Sequence, residues 1–572
     1  MKSFFFCFLA YFLGSLTCIS FGFEKSSELQ TCPPQSALVV SKQTLYENKE
    51  HSLGIQNYTT AELLEKYPNS FITRNGSQLM IEGSPIRLAG GNIYWLGLDE
   101  NGSPGIAYPT EFRQRDAITT AVKVLGATCW EQQIVRTRAE RFNEEAAAII
   151  DRAIAIAKEN NVRLVIPLTD NWHYYHGGEY TFCNWRGTNN LTEFYSNETI
   201  VKDFENYIWH LLNHYNNLTG NYLKDEPTIL AWETGNEICP PPQWTNDICL
   251  FIKSINSGKQ LVLSGRYGVS SLELELECVD LYSNHYYPMD PQQVAMDAQL
   301  SFVNIFFKKS NAITVVFFAG EFGWTTGDLS FLDSFLESMY SNGVNMDCYW
   351  SLFPHNDSYG FEYHDDGFSL YYPGEYTPDD LQTNTSLKIK SLRNHALLMS
   401  GYTPGTLPDY PVCGQPKISN ITSDISNGAT TIFWRGACGC CTYNIEKSFQ
   451  NDAGWVVLTS GVTDFEGFFQ DDSVYHECNL KIFWFLVSFS NIENLAFKHK
   501  IVDNRITIKK LEIDFTYSYN ITLKHEIRSN KKYLISNNEK TKQHKQIHDL
   551  SYVIDKISNI FCFLIVIYTF YV

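Results

Sequence analysis

Between residues 86 and 401 the chain alternates short apolar runs with longer segments whose apolar residues recur at helical spacing. This alternation is typical of repeated βα units around a parallel sheet. The apolar runs predict strands at residues 88–94, 134–137, 163–169, 228–234, 260–264, 279–284, 314–320 and 345–351. The helical spacing predicts helices at residues 111–125, 143–160, 200–216, 244–255, 292–309 and 329–341. We therefore expect an α/β fold in which the strands close into a (β/α)8 TIM barrel.

The pattern changes after Pro404. Residues 416–474 predict short strands separated by Gly, Asn and Asp turns. Trp434, Tyr443 and Trp455 resemble the aromatic pattern of a fibronectin type III or immunoglobulin-like β-sandwich, which needs about seven strands and about 100 residues. We expect a partial module of this kind at residues 414–478.

The two ends of the chain carry different signals. Residues 1–22 place one Lys before an apolar stretch and small residues, the pattern of a cleaved secretory signal peptide. An N-terminal extension would follow at 23–72, and the barrel domain would occupy 73–403. Residues 479–572 show no assignable periodicity, so we expect an unassigned tail of low order.

A secreted, extracellular glycoprotein is the expected product. Sequons for N-glycosylation begin at Asn57, Asn75, Asn101, Asn190, Asn197, Asn217, Asn356, Asn384 and Asn420. The terminal apolar run at 560–572 is shorter than the roughly 20 residues of a membrane-spanning helix, so a membrane is not an expected partner.

Composition narrows the classes of partner. The net charge of −19 and the pI near 5.2 argue against nucleic acid, whose binders usually present a basic face. Cys438, Cys440 and Cys441 stand close together, but no second Cys or His cluster has zinc-site spacing. We expect no metal, no cofactor and a monomer acting on a weakly charged substrate.

Two glutamates follow apolar strands and carry the candidate chemistry. Glu237 lies in the segment PTILAWETGNEI, and Glu321 lies in TVVFFAGEFGW. In barrel enzymes the carboxyl ends of the strands hold the active site. Glycoside cleavage needs one carboxylic acid to protonate the leaving oxygen and one carboxylate to attack the anomeric carbon. A separation of about 5–5.5 Å retains anomeric configuration, and we predict this shorter distance.

Over residues 73 to 401 the chain resembles glycoside hydrolase family 5, of the clan of (β/α)8 retaining hydrolases, and within it the endo-β-1,4-mannanases. The segments that carry the resemblance are Asn236-Glu237, Glu321, His285-Tyr286-Tyr287-Pro288 and Asp170-Asn171-Trp172. It implies that Glu237 is the acid/base and Glu321 the nucleophile. It further implies substrate contacts from Asn236, His285, Tyr287, Trp350, Trp172, Asn171, Trp95 and Trp324, with Tyr287 donating to the nucleophile and Trp350 stacking on the cleaved sugar.

The resemblance departs from the family at the second strand. The family carries an arginine there that supports the nucleophile, but here residues 126–128 run directly into CWEQQIVRTRAERF and the next helix. Arg136 is the first candidate for this arginine and Arg138 the second. The compressed segment leaves the register of this unit open.

The expected function is hydrolysis of β-1,4-mannosidic bonds in mannan, glucomannan or galactomannan of plant or fungal cell walls, by double displacement. One alternative is a β-glucanase of the same clan, a cellulase or β-1,3-glucanase. A second is a carbohydrate-binding cell-wall protein that lost catalysis through the compressed second unit. A third is a membrane-anchored enzyme that remodels the wall.

Overall fold

The computed structural model describes a large part of the chain. These residues are 58–98, 108–127, 129–131, 142–172, 178–302, 315–364, 366–373, 385–411, 414–423, 429–439, 442–448, 455–465, 467–471, 484–490 and 506–509. The chain divides into a large unit of 1–446, 457–476 and 486–506, and a small unit of 447–456, 477–485 and 507–572. The barrel and the candidate site belong to the large unit.

A closed barrel of parallel strands forms the centre of the large unit. Its strands, in chain order, are β4 (Leu88–Asn92), β5 (Cys129–Glu131), β6 (Arg163–Pro167), β9 (Ile229–Glu233), β10 (Leu261–Ser264), β11 (Leu281–Tyr286), β12 (Val316–Phe322) and β13 (Met346–Tyr349). Each pairs in parallel with the next, and β13 closes the barrel on β4. The expected parallel α/β barrel is therefore present.

Helices precede, connect and follow the barrel strands. They are α1 (Thr60–Lys66), α2 (Glu111–Thr119), α3 (Glu144–Glu159), α4 (Gly178–Trp185), α5 (Glu193–Ser196), α6 (Glu198–Leu212), α7 (Pro242–Asn256), α8 (Pro291–Phe302), α9 (Leu329–Ser341) and α10 (Thr385–Met399). Local chemistry sets several starts: Asn143 accepts hydrogen bonds from backbone N–H groups in the first turn of α3, and Asp328 does the same for α9. The helices thus begin where side-chain acceptors satisfy otherwise unpaired amides.

The second barrel strand is a correction to the sequence prediction. We expected it at 134–137, but β5 lies at Cys129–Glu131, and 134–137 lie outside the described residues. This short strand pairs with β4 through Gly90↔Cys129 and with β6 through Cys129↔Arg163. Pairing on both sides places the strand, and three residues give almost no periodicity to read.

Small elements at the amino end close the floor of the barrel. The hairpin strands are β1 (Thr73–Asn75), β2 (Gln78–Ile81) and β3 (Ser84–Ile86). Leu79, Ile81 and Leu63 of α1 share one buried cluster with Val316 and Phe318 of β12. A packed floor leaves the opposite, carboxyl end of the barrel as the open face.

The remaining strands lie outside the barrel. They are β7 (Tyr215–Asn216), β8 (Asn221–Tyr222), β14 (Lys417–Ser423), β15 (Thr430–Arg435), β16 (Thr442–Ser448), β17 (Val456–Val462), β18 (Phe468–Asp471), β19 (Trp484–Ser490) and β20 (Ile506–Lys509). Strands β14, β15 and β18 form one antiparallel sheet. The β-sandwich module stays a prediction. Among the described residues, no helix is long and apolar enough to cross a membrane.

Candidate active site

Glu237 and Glu321 meet at the carboxyl end of the barrel. Glu321 is the penultimate residue of β12, and Glu237 lies four residues beyond the end of β9. One carboxylate oxygen of each glutamate and one ring nitrogen of His285 lie within 4.8 Å of one another. Separate strands therefore deliver two acidic groups to one position.

The backbone around Glu237 is shaped to present this side chain. Glu237 has φ 53°, a left-handed conformation that is uncommon for residues other than glycine. The preceding Asn236 is held by hydrogen bonds from its N–H to the Thr169 carbonyl oxygen at 2.8 Å and from the Asn171 N–H to its own carbonyl oxygen at 2.9 Å. Such unusual backbone conformations cluster at functional sites.

His285 lies between the two carboxylates. Its Nδ1 is 2.7 Å from Glu237 Oε1 and 3.5 Å from Glu321 Oε2. A Cβ atom at position 320 would lie 2.7 Å from His285 Nε2, so the Gly320-Glu321 pair needs its glycine for the imidazole to fit. The sequence pattern Gly-Glu at the end of β12 is explained by this close approach.

The charges of this cluster depend on one another. Burial alone would lower the pKa of His285, but the carboxylates of Glu321 and Glu237 raise it above its usual value. Burial would raise the pKa of Glu237, but His285 and the Trp172 N–H hold it below its usual value. The two shifts have opposite directions because the groups stabilise each other's charged forms, so the pair titrates as a unit.

Two further side chains contact the carboxylates directly. The Trp172 indole N–H donates to Glu237 Oε2 at 2.7 Å, and the Tyr287 hydroxyl donates to Glu321 Oε2 at 2.9 Å. Burial and the charge of Glu321 raise the pKa of Tyr287 well above its ordinary value, so the phenol keeps its proton. Glu321 thus receives a hydrogen bond that favours its ionised form.

The other residues singled out from the sequence lie at different places in the fold. Asn236 is buried beside Asp170, whose Oδ1 accepts from its side-chain amide at 3.4 Å, and Asn171 borders the same loop. Trp350 is 8% exposed and follows β13 at the barrel mouth. Arg136 and Arg138 lie outside the described residues.

Trp95 and Trp324 are the two remaining tryptophans singled out from the sequence. Each is only 1% exposed, and their indole N–H groups donate to the carbonyl oxygens of Leu352 and Phe368. Both rings belong to the core cluster below the site, and a substrate contact of either one stays a prediction.

The structure adds residues that the sequence did not single out. Tyr267 follows β10, is about half-exposed, and has its pKa raised by burial and by the charges of Glu237 and Glu321. Asp366 accepts a hydrogen bond from the Trp350 indole N–H at 2.6 Å. Both residues follow barrel strands in the chain, and this position was the feature of the sequence that could have indicated a place near the site.

A buried acid also lies behind the site. Burial raises the pKa of Glu179 to about 8, against the hydrogen bond from the Tyr195 hydroxyl, which lowers it. That hydroxyl accepts from the backbone N–H of Cys239 at 3.1 Å, two residues after Glu237. The pair supports the loop that carries Glu237, and no sequence motif marks it.

The cluster of Glu237, His285 and Glu321 has the spacing of a three-ligand metal site as well as of a shared proton. A cation would have to replace the 2.7 Å contact between His285 Nδ1 and Glu237 Oε1. Because the cluster is already joined by charge-assisted contacts, we interpret it as proton-sharing. The absence of a cofactor stays a prediction.

The fold and the site together define a class of protein: parallel α/β barrels with two glutamates paired at the carboxyl end of the strands. Residues 69–285 match the family model described as GH family 5 beta-mannosidase-like. The chain therefore resembles glycoside hydrolase family 5, as the motifs predicted, and the matched segment contains Asn236, Glu237 and His285.

Curated relatives agree with this match. Mannan endo-1,4-beta-mannosidase 1 of Arabidopsis thaliana is 28% identical over 214 residues, covering 35% of this chain and 52% of that protein. Mannan endo-1,4-beta-mannosidase 7 of Oryza sativa subsp. japonica is 25% identical over 364 residues, covering 53% and 92%. The chain spans about half the length of the first of these proteins and of putative mannan endo-1,4-beta-mannosidase P of Arabidopsis thaliana, 52% and 54%.

Among solved structures, the endo-1,4-beta-mannanase from Rhizomucor miehei aligns with 21% identity and a TM-score of 0.47. The alignment covers 58% of this chain and 100% of that one.

Proposed function

We propose that this protein is a glycoside hydrolase that cleaves internal β-1,4-mannosidic bonds in mannan, glucomannan or galactomannan. One observation carries the proposal: oxygens of Glu237 and Glu321 lie within 4.8 Å of each other and of His285 at the barrel mouth. The relatives that bear the name mannan endo-1,4-beta-mannosidase support the choice of mannan.

The reaction that fits this geometry is a double displacement. Glu321 attacks the anomeric carbon and forms a glycosyl ester, while the bond to the leaving oxygen breaks and Glu237 gives that oxygen a proton. Water then attacks the anomeric carbon of this ester, Glu237 takes the proton from the water, and the bond between that carbon and the Glu321 oxygen breaks to release the carboxylate. A gap below about 5.5 Å suits direct attack, whereas inversion needs roughly 6.5–9.5 Å to hold a water.

The supporting side chains fit the same roles. Tyr287 donates to Glu321 Oε2 and favours the ionised nucleophile, while the pair of Glu237 and His285 holds the proton that the leaving oxygen receives. Asn236, buried beside the loop after β6, has the position expected for a contact to the 2-hydroxyl of the sugar.

We further propose a secreted monomer whose residues 1–22 are removed as a signal peptide, with a partial β-sandwich at 414–478. The sequons and the apolar leader support the secretory route. The mature N-terminus of the protein expressed in a secreting host would test it, because a retained Met1 contradicts the leader.

The activity test measures reducing-sugar release by the full chain from mannan, cellulose and laminarin. We expect the fastest release from mannan. Glu237→Gln and Glu321→Gln should each lower kcat roughly 100- to 10,000-fold, because each loses proton transfer or nucleophilicity at nearly constant volume. Glu273→Gln is the matched control, a buried glutamate that contacts Ser264 and Thr245.

Three results would contradict the proposal. Faster release from a glucan would overturn the choice of mannan. Substantial activity in Glu321→Gln would overturn the assignment of the nucleophile. Wild-type protein that binds mannan without cleaving it would favour the binding-protein alternative.

Mass spectrometry with a 2-deoxy-2-fluoro mannosyl donor should find the label on Glu321.

A further inference from the structure

The indole of Trp350 is fixed on one face by a second aromatic ring. Tyr94, only 1% exposed, stacks on it with ring centroids 5.1 Å apart and an interplanar angle of 10°. A sugar can therefore reach the indole only on the face that Tyr94 does not cover. Offset stacking of this kind fixes a ring more firmly than burial alone.

The edge of the indole is fixed by a carboxylate. Trp350 Nε1 donates to Asp366 Oδ2 at 2.6 Å, a short distance that marks a charge-assisted hydrogen bond. The other oxygen, Asp366 Oδ1, accepts from the backbone N–H of Phe368 at 2.8 Å and from the Ser369 hydroxyl at 3.1 Å. The carboxylate therefore has little freedom to rotate.

A histidine completes a closed ring of contacts. His364 Nε2 lies 3.3 Å from Asp366 Oδ2, and His364 Nδ1 lies 3.3 Å from the Tyr94 hydroxyl. Burial would raise the pKa of Asp366, but the contact with His364 and the hydrogen bonds from the Phe368 N–H and the Trp350 indole hold it below its usual value. Asp366 is thus ionised wherever a neutral-pH reaction would occur.

The same loop reaches the tyrosine that contacts Glu321. Phe368 packs edge-on against Tyr287 with centroids 5.1 Å apart, and a Cβ at Gly323 would lie 2.7 Å from Phe368 Cε1. The carboxylate of Asp366 is also one of the charges that raise the pKa of Tyr287, after burial and the two glutamates. A shift of this loop would therefore move both the Trp350 indole and Tyr287, the hydrogen-bond donor to Glu321.

We propose that Asp366 is a positioning residue that sets the plane of the Trp350 indole for stacking on the sugar, with His364 and Tyr94 as its supports. The proposal rests on the proposed glycosidase function. It assigns to the loop after β13 a role in substrate geometry, since an aromatic platform contributes only when its face is parallel to the ring it receives.

The experiment combines kinetics with a resonance that reports the indole directly. Full-length protein labelled with 15N-tryptophan would be compared as wild type, Asp366→Ala and Asp366→Asn. The Trp350 Nε1–H signal is assigned by its loss in Trp350→Phe. Asp357→Ala is the matched control, because Asp357 belongs to the same connection but contacts Thr110 and Arg113 instead.

In Asp366→Ala we expect the Trp350 Nε1–H signal to move and kcat/KM on mannan to fall about 10- to 100-fold, since a hydrogen bond to a charged group is lost. Asp366→Asn should recover much of both, because an amide oxygen still accepts the indole N–H. Asp357→Ala should change neither.

The outcomes separate this proposal from the proposed function. An unmoved Trp350 signal in Asp366→Ala overturns the positioning role, as does unchanged kcat/KM in an active enzyme. If wild type cleaves no glycan, the proposed function fails. In that case the platform role is decided by binding of mannohexaose to Glu321→Gln protein that also carries Asp366→Ala or Asp357→Ala. Weaker binding with Asp366→Ala than with Asp357→Ala supports the role. Equal binding, or no binding in either, overturns it.

Discussion

Two consecutive tyrosines at the end of β11 serve different purposes. The Tyr287 hydroxyl donates to Glu321 Oε2 at 2.9 Å, whereas the Tyr286 hydroxyl donates to Asp297 Oδ2 of α8 at 2.8 Å. Successive side chains of a strand point to opposite faces. One phenol therefore reaches the barrel mouth, and the other reaches the helical layer.

These contacts predict opposite effects for the same substitution. Tyr287→Phe should lower kcat on mannan about 10- to 100-fold with little change in Tm, because the Glu321 carboxylate loses a hydrogen-bond donor. Tyr286→Phe should retain kcat but lower the free energy of unfolding by about 1–3 kcal/mol, because buried Asp297 loses a donor. Steady-state kinetics and urea denaturation measure both, and a Tyr287→Phe enzyme with full kcat would contradict the proposed support of Glu321.

The part of the site that the sequence could predict consists of residues that directly follow apolar strands. Glu237 and Glu321 each follow an apolar run, and the carboxyl ends of parallel strands meet at one face. Trp95 follows a strand too, yet it is buried, because position along the chain does not determine whether a ring faces the core or the cleft. Asp366 escaped prediction because its role depends on a partner 16 residues away, Trp350.

At the scale of elements, the strongly apolar strands were predictable and the short ones were not. Strands such as β12 (Val316–Phe322) are buried at every residue and give a clear apolar run. β5 is placed by its neighbours, and α10 (Thr385–Met399) buries Lys388, Arg393 and His395, which obscure its apolar stripe. Tertiary contacts that override local pattern cannot be read from a single segment.

Close approach between the connections after β9 and β10 depends on one glycine. A Cβ at Gly265 would lie 1.4 Å from the carbonyl oxygen of Gly235, which is backbone and has no rotamer to change. Gly265 also accepts from the Ile238 N–H at 3.0 Å and donates to Thr234 Oγ1 at 2.9 Å. Gly235 precedes Asn236-Glu237, so the packing of these connections also positions the candidate acid.

Gly265→Ala should therefore lower both stability and activity. We expect a loss of about 3 kcal/mol or more in the free energy of unfolding, since overpacking forces the backbone to shift, together with a lower kcat on mannan. Gly258→Ala is the control: it has φ +68° but no atom within 4 Å of the added Cβ, so it should cost only about 1–2 kcal/mol and retain kcat. Equal losses in both variants would contradict the close-approach argument.

At the scale of the large unit, His355 joins the barrel to the segment that precedes β18. Its Nδ1 lies 2.9 Å from Asp116 Oδ2 of α2, and its Nε2 lies 3.0 Å from Asp464 Oδ2. Asp464 also accepts from the Trp434 indole N–H at 3.0 Å and from the Tyr443 hydroxyl. A buried imidazolium between two carboxylates thus holds sequence-distant parts of the chain together.

The pKa of His355 gives this contact a defined pH dependence. Burial alone would lower the pKa, but the charges and hydrogen bonds of Asp116 and Asp464 raise it to about 10. An unfolded histidine has a pKa of about 6.5. The folded state therefore binds the extra proton between these two values, and its stabilisation is complete below about pH 6.5 and lost progressively as the pH rises to about 10.

Asp464→Asn tests this contribution, because it removes one of the two charges that hold the proton and keeps the side-chain volume. Wild type should be more stable than Asp464→Asn at pH 6, and this stability difference should shrink by roughly 2–3 kcal/mol when the pH is raised to 9.5. The magnitude follows because each unit of pKa shift corresponds to about 1.4 kcal/mol. Urea denaturation at both pH values measures this difference. Glu337→Gln, an exposed change on α9, should show a difference from wild type that does not vary with pH. An Asp464→Asn difference that is equally constant would show that His355 is not a charged link within the large unit.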